Sequence, residues 1–208
     1  MDYAAISTAF VTMFVVIDPI GLAPLYIAIT QNMDHATQRR IALTSCGIAS
    51  LVLLAFAIFG DQILGVAGIT MPAFRIAGGI LLFLTALDML FERRNKRRED
   101  RSNATDHEDP SVFPLAIPLI AGPGAITSIV LLMAQHPGAQ GSAIVLGATA
   151  AVILVVLGFF LAAGFIAKIL GQTGIVVLTR LFGMLLAALS VQFVLDGVRA
   201  FGFGVHAG

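Results

Sequence analysis

Long apolar stretches separated by short polar ones dominate the chain and predict its secondary structure. The apolar stretches cover residues 3–31, 41–60, 72–91, 112–135, 142–167 and 175–198. Each is long enough to cross a hydrocarbon core of roughly 30 Å, because a helix rises about 1.5 Å per residue. His136, Pro137 and Gly138 are typical turn residues and separate the fourth stretch from the fifth. The pattern therefore predicts an all-α membrane protein with six transmembrane helices.

Two of these stretches contain residues that are unusual inside a membrane helix. The first holds the sequence DPIGLAP at residues 18–24, and the fourth holds PLIAGPG at residues 118–124. Backbone leaves helical geometry inside hydrocarbon only where it packs on protein or lines a cavity, because every N–H and C=O group needs a partner there. Paired breaks in the two halves of a chain are a strong sequence indication of a transporter's binding site. We therefore predict that helices one and four are broken near the membrane midplane.

The chain divides into two halves of three spans each, joined by a charged linker. The halves are residues 1–91 and 112–208, and the linker is residues 92–111. Since each half has an odd number of spans, the second half lies upside down relative to the first. A constant offset of 105 residues aligns span three with span six in these pairs: Arg75/Arg180, Gly78/Gly183, Leu81/Leu186, Leu84/Leu189 and Thr85/Ser190. The matches predict two inverted three-helix repeats.

The composition supports a membrane protein and excludes other classes. The chain is 58% hydrophobic and 12% charged, with a mean hydropathy of +0.97, whereas a soluble domain is about 45–50% apolar and 25% charged. The formal net charge is zero, so we expect no nucleic-acid partner. Cys46 is the single cysteine, which excludes an internal disulfide and a cysteine metal cluster. We predict no metal and no other cofactor.

The distribution of basic residues predicts the orientation in the membrane. No Lys or Arg precedes Arg39, so the N-terminus lacks the basic region of a signal peptide and helix one is expected to remain in the mature protein. Ten of the twelve Lys and Arg residues fall on one side: Arg39, Arg40, Arg93, Arg94, Lys96, Arg97, Arg98, Arg101, Lys168 and Arg180. The positive-inside rule makes this side cytoplasmic and both termini periplasmic.

The linker at residues 92–111 is the one long hydrophilic segment of the sequence. It shows no apolar periodicity, which predicts a flexible connection rather than a folded element. Its basic run is the main topology signal of the chain. The same run is also of the kind that binds anionic lipid headgroups, and the topology signal is the simpler interpretation.

The two broken motifs resemble the signatures of a known family. Residues 18–24 and the sequence PLAIPLIAGPGA at residues 114–125 are similar to those of the MarC family of bacterial inner-membrane proteins. The resemblance covers essentially the whole chain. It implies a six-span protein of the cytoplasmic membrane, distantly similar to LysE-type exporters of amino acids and metabolites. Family members often carry Asn where this chain has Asp18, so the resemblance does not imply an essential carboxylate.

The broken motifs are also the candidate binding site. Asp18 and Gly122 each precede a proline, which is the arrangement of a helix N-cap followed by the first helical residue. Each motif would start a half-helix whose free N–H groups carry partial positive charge and suit a substrate carboxylate. An alternative interpretation is structural, with Asp18 capping a kinked helix and the glycines permitting close packing. The predicted substrate-binding residues are Asp18, Pro19, Gly21, Pro24, Gly122, Pro123, Gly124, Thr127 and Ser128.

Other polar and small residues in the spans give weaker predictions. Arg75 and Arg180 lie about one turn inside their spans, where a long side chain reaches the interface. Anchoring in the interface and a gating or ion-pair role are both open for them. Span five carries small residues four positions apart, which predict close helix packing: Gly147 with Ala151, and Gly158 with Ala162.

Taken together, these features favour a membrane transporter that exports a small, carboxylate-bearing metabolite. A passive channel and a non-transporting membrane protein are the alternatives. We expect no enzyme and no catalytic residue, since none of the four histidines lies three or four residues from another ligand on a helix. The expected partners are the lipid bilayer and a small-molecule substrate, and the sequence leaves homo-oligomerisation open.

Overall fold

Helices form almost all of the computed structural model, which describes residues 3–91 and 109–202. In these two ranges there is no strand, and the α-helices are α1 (Tyr3–Ile17), α2 (Pro19–Thr30), α3 (His35–Val66), α4 (Met71–Leu90), α5 (Pro123–Gln135), α6 (Gly138–Leu161) and α7 (Ala163–Ala200). Ser111–Ile120, which we call the proline segment, is an irregular helix that precedes α5. Its backbone is non-helical at Phe113, Ile117 and Pro118, and its two X-Pro bonds at Pro114 and Pro118 are cis.

The lengths and hydropathy of these helices confirm an all-α membrane protein. Five helical units are long and apolar enough to span a bilayer: Tyr3–Thr30, His35–Val66, Met71–Leu90, Gly138–Leu161 and Thr173–Ala200. The proline segment and α5 are bent by 52° relative to each other and give a sixth span if they are taken together. The described chain thus contains five or six spans, which agrees with the number expected from the apolar stretches.

Local capping explains where α3 and α4 begin. Asp34 accepts hydrogen bonds from the backbone N–H groups of Ala36 and Thr37, so α3 starts at His35 rather than at residue 41. Thr70 caps α4 through the N–H of Ala73. The bond from the Thr37 side chain, with the backbone bonds, lowers the pKa of Asp34. A lowered carboxyl pKa means that this cap stabilises the fold above the pKa of the unfolded chain and is lost as the pH falls through the folded value.

The boundary between spans five and six differs from the prediction. Helix α6 ends at Leu161, and residues 163–167, which we assigned to span five, belong to α7. The turn at Ala162 is made of apolar residues, so hydrophobicity does not mark it. Within α7 the backbone breaks at Gly171, whose φ is 60°. Glycine adopts this left-handed region without a steric cost.

Helix α4 packs along α7 in an antiparallel pair with glycines at the contact. A Cβ atom at Gly79 would lie 2.8 Å from the carbonyl oxygen of Ser190, and one at Gly197 would lie 2.9 Å from that of Pro72. Gly183 approaches the other end of α4 in the same way, at Ala86. Removing side chains at these positions lets the two backbones come close.

The packing predicted for span five is wrong for its glycines. Gly147 and Gly158 are exposed, and a Cβ at either would meet nothing within 4 Å in the described structure. Gly147 and Gly158 therefore lie on the outward side of α6. Spacing alone does not tell which side of a helix faces protein when nearly every residue around it is apolar.

The remaining helices surround a buried interior. Both α1 and α2 pack on α6, and both the proline segment and α5 pack on α3, while α2 also contacts α7 and α5 also contacts α4. The interior is filled by residues with almost no exposed surface, among them Met13, Leu22, Leu82, Leu115 and Ile129.

The linker prediction falls largely outside the described residues, because these exclude residues 92–108. At its end, the Asp109 carboxylate accepts hydrogen bonds from the hydroxyl and the N–H of Ser111, at 2.6 and 2.9 Å. These bonds lower the pKa of Asp109. They hold the chain where it enters the proline segment.

Candidate functional site

Asp18 lies between α1 and α2 and caps the second helix. Its backbone is left-handed, with φ 59° and ψ 67°, and Pro19 is the first residue of α2. The Oδ1 atom accepts a hydrogen bond from the N–H of Gly21 at 3.1 Å, and Asp18 has no exposed surface. Apart from glycine, Asn and Asp are the residues that adopt this backbone most readily. The position thus favours Asp or Asn for two reasons, the cap and the backbone.

Gly21 and Pro24 shape α2 rather than offering free polar groups. A Cβ atom at Gly21 would overlap the carboxylate of Asp18. Pro24 lies inside α2 and is half-buried. Because proline has no N–H, it cannot donate to the carbonyl of Ile20. The absence of a side chain at Gly21 is therefore explained by the cap itself, without a ligand.

Gly122 is the corresponding cap residue of α5. Its backbone is extended, with φ −82° and ψ 170°, and it makes no side-chain cap hydrogen bond. A Cβ atom here would overlap the carbonyl oxygen of Pro118. Pro123 begins the helix and is exposed. An internal contact accounts for Gly122 as it does for Gly21, so substituting either glycine would disturb folding and would not test ligand binding alone.

The end of α1 and the start of α5 are in contact. A Cβ atom at Gly124 would lie 3.3 Å from Cγ1 of Val16, two residues before Asp18. It would also lie 3.2 Å from Cδ2 of Leu82 and 4.0 Å from Oγ1 of Thr85, both on α4. The structure thus places the second motif against α4 and beside the end of α1, two residues before the first motif. Thr85 entered the sequence prediction only as a repeat match. It is a neighbour of the site that was not predicted, although a hydroxyl in an apolar span was the available signal.

Thr127 and Ser128 are both buried, and they differ in their surroundings. The Thr127 methyl group packs so closely on Gly78 of α4 that a Cβ there would overlap it. Ser128 has no exposed surface, and its hydroxyl has no hydrogen-bond partner in the described part of the chain. A helical side chain lies over the turn that precedes it, so Ser128 lies over the turn that contains Gly124.

The two membrane arginines lie on α4 and α7. Arg75 is half-buried in the first turns of α4, and its Nε atom is buried without a hydrogen-bond partner among the described residues. Arg180 is exposed on α7. Two residues later, Phe182 makes an edge-on contact with Phe14 of α1, with 5.6 Å between ring centroids. The position of Arg180 lies about two turns inside the spanning part of α7, deeper than expected.

Comparison with known proteins identifies the family. The model of the MarC family of integral membrane proteins matches residues 3–201. The chain belongs to this family. Among MarC relatives, it is 34% identical to the UPF0056 membrane protein YvbG of Bacillus subtilis over 203 residues, which is 96% of each chain. It is 35% identical to the UPF0056 membrane protein MJ1677 of Methanocaldococcus jannaschii over 205 residues, 96% of this chain and 98% of the relative.

A third MarC relative, the UPF0056 membrane protein YhcE of Escherichia coli, is 32% identical over 206 residues, 95% of this chain and 94% of its own length. No solved structure shows significant similarity to the chain. The resemblance seen in the two motifs is thus confirmed along nearly the whole chain. This member of the MarC family is an integral, multi-pass membrane protein with bacterial and archaeal relatives.

Proposed function

We propose that this MarC-family protein is a carrier that moves a small polar solute across the cytoplasmic membrane. The observation that carries the proposal is the contact beside the two motifs, where Val16, two residues before the first motif, lies next to Gly124 of the second. Buried polar groups lie in or near both motifs inside apolar spans: Asp18 in the first, and Ser128 on α5 just after the second. Such groups are costly in a membrane and usually serve a solute or ion pathway. We propose Arg75 and Arg180 as anchoring or gating residues at its periphery.

We propose further that the six spans form two inverted repeats in which spans one and four are broken at Asp18 and Gly122. The pattern of helix contacts supports this. If the two halves are exchanged, α1 takes the place of the proline segment and α6 takes the place of α3. The contact between α1 and α6 then corresponds to the contact between the proline segment and α3, and the structure has both contacts. Likewise, the contact of α2 with α7 maps onto that of α5 with α4. The long antiparallel α4–α7 pair maps onto itself.

The burial of the site favours a carrier over a channel. Asp18 and Ser128 are fully enclosed, as expected for a carrier between its two open states. On the side that carries Arg39, Tyr26 stacks on Phe160 with 4.4 Å between ring centroids, and its hydroxyl donates to the carbonyl of Gln38 at 2.7 Å. Both rings are buried, so they fill the interior beside α2.

Solute flux into proteoliposomes tests the proposal. Metabolites that accumulate in cells lacking the protein and fall in overexpressing cells supply the candidate solutes. A carrier gives flux that saturates with concentration, a channel gives fast flux that does not saturate, and a non-transporting protein or an enzyme gives none. Purified protein that remains folded and moves none of the candidates would count against transport.

A matched pair of variants locates the site in the same assay. Gly124→Ala adds a methyl group between Val16 and Leu82, whereas Gly147→Ala adds one where nothing lies within 4 Å. The first should reduce flux per folded protein and the second should leave it unchanged. Equal flux from both variants would place the pathway elsewhere.

A further inference from the structure

An apolar groove opens on the outer surface of the protein between α3 and α6. Its volume is about 240 Å³, and α5 contributes to its floor. The floor is buried and is formed by Leu53, Ile129, Thr149 and Ile153. The mouth is formed by exposed residues, which are Ser50, Leu54 and Ala150. The groove is therefore open to the medium that surrounds the helices.

The groove lies near the middle of two membrane-spanning helices. Ser50 is close to the midpoint of α3, and Ala150 is close to the midpoint of α6. Thr149 brings a hydroxyl to the floor, but this group donates to the carbonyl of Val145 at 2.8 Å and leaves the lining apolar. The medium at this depth is hydrocarbon. An apolar cavity of about 150 Å³ takes up benzene, so this groove has room for several methylene groups of an acyl chain.

A basic residue lies above the groove on the same face of α3. Arg39 precedes Ser50 by 11 residues, which is about three full turns and about 16 Å along the helix axis. Half of a hydrocarbon core is about 15 Å thick. Arg39 is exposed and forms no ion pair with another of the described residues. Leu43, one turn after Arg39, is exposed as well. This face of α3 therefore runs from the level of the lipid headgroups to the groove.

We propose that one phospholipid with an anionic headgroup binds here, with its headgroup at Arg39 and an acyl chain in the groove. The charge of Arg39 attracts anionic lipids. Its side chain tilts toward the start of α3, which is the direction of the headgroups. An acyl chain that starts at this level reaches the groove without leaving the leaflet. The site lies outside the charged linker and outside the two broken motifs, and it does not depend on the proposed transport function.

Native mass spectrometry of the purified full chain tests the headgroup. The probes are dioleoyl phosphatidylglycerol, which is anionic, and dioleoyl phosphatidylcholine, which is zwitterionic. We expect one site that binds the anionic lipid about fivefold more tightly, which is the effect of one basic residue near a membrane surface. Arg39→Gln should abolish this preference.

Arg40→Gln is the matched control, because it removes the same charge from the neighbouring position. Arg40 lies about a quarter of a turn away from Arg39 around α3, and its charge interacts with Asp109. The preference for the anionic lipid should persist in this variant. An equal loss in the two variants would show a general attraction of charge and would overturn the position of the headgroup.

Filling the groove tests the position of the acyl chain. Ala150→Phe and Ser50→Phe each place a ring at the mouth, from opposite walls, and both positions are exposed, so the variants should fold. Each should weaken both lipids at least about fivefold, because on the order of ten carbon contacts are lost. The control is Ala143→Phe, which is exposed about two turns nearer the other end of α6 and should leave binding unchanged.

Two outcomes of the groove experiment would overturn the proposal. The first is equal lipid binding by Ala150→Phe, Ser50→Phe and Ala143→Phe, which would mean that no acyl chain occupies the groove. The second is a natural chain that is a dimer in the same spectra and becomes a monomer in Ala150→Phe without losing lipid, which would mean that a second copy fills the groove.

Discussion

Asp18 is constrained at the level of its own backbone before any role in binding is considered. A left-handed φ of 59° and a hydrogen bond to Gly21 must both be satisfied in a fully buried position. The order of proline and acid in the sequence was enough to predict the cap, because caps and first-turn prolines have local signatures. The left-handed backbone was not predictable, since it depends on how α1 and α2 are held by the helices around them.

Substitutions at Asp18 should separate the cap from the backbone. Asp18→Asn keeps both and should change the free energy of unfolding least. Asp18→Gly suits the backbone and should cost a few tenths of a kcal/mol for the cap. Asp18→Ala loses the cap and takes a left-handed backbone poorly, so it should cost about 2–3 kcal/mol. Unfolding in lipid nanodiscs measures this order, and equal losses for Gly and Ala would show that the backbone is not strained.

The Asp18 carboxylate lies where a side chain at Gly21 would be. We therefore predict that the effect of Gly21→Ala on the free energy of unfolding changes sign when Asp18 is also substituted. In the natural chain, Gly21→Ala forces the carboxylate aside and should destabilise the fold by about 1–3 kcal/mol. With Asp18→Gly already present, the added methyl group meets no carboxylate. Gly21→Ala should then be neutral or stabilise α2 by up to about 1 kcal/mol, because alanine favours helix. Additive losses from the two changes would contradict the contact.

Among the helices, the α4–α7 pair depends most on small residues. The apolar stretches predicted that these spans exist, and the 105-residue offset pointed to Gly78 and Gly183. Which glycines lie in contact was visible only from the packing. Gly79 and Gly197 approach backbone atoms of the partner helix, whereas Gly147 and Gly158 on α6 do not. The break at Gly171 lies in residues 168–174, which the apolar stretches left between spans five and six, whereas the turn at Ala162 was missed because it is made of apolar residues.

A large side chain at the α4–α7 contact should therefore destabilise the protein, whereas the same side chain at an exposed position should not. Gly79→Leu places its Cβ within 2.8 Å of the Ser190 carbonyl oxygen and should cost about 1–3 kcal/mol or more. Gly147→Leu is the control, because it projects into open space. Thermal unfolding in the same detergent compares them. A Gly79→Leu protein as stable as the control would mean that the two helices separate easily.

For the whole molecule, the basic residues predict the orientation of every span. Alkaline phosphatase fused to the C-terminus should be active, which reports a periplasmic end, and green fluorescent protein inserted after Asn103 should fluoresce in the cytoplasm. The physical reason is that ten Lys and Arg residues lie on the linker side of the membrane and only two on the other side. An inactive phosphatase together with a fluorescent C-terminal fusion would reverse the assignment.

If the two halves exchange conformations in the proposed transport cycle, the unequal capping of α2 and α5 has an energetic consequence. One helix start carries a side-chain cap and the other does not. Such a cap is worth about 1 kcal/mol, or roughly a fivefold change in an equilibrium constant. Two halves that trade conformations during a transport cycle would then not be at equal free energy in the two open states. If the Asp18 cap is made in one open state and lost in the other, an empty carrier rests facing one side of the membrane in about five molecules out of six, a bias already present before any solute binds.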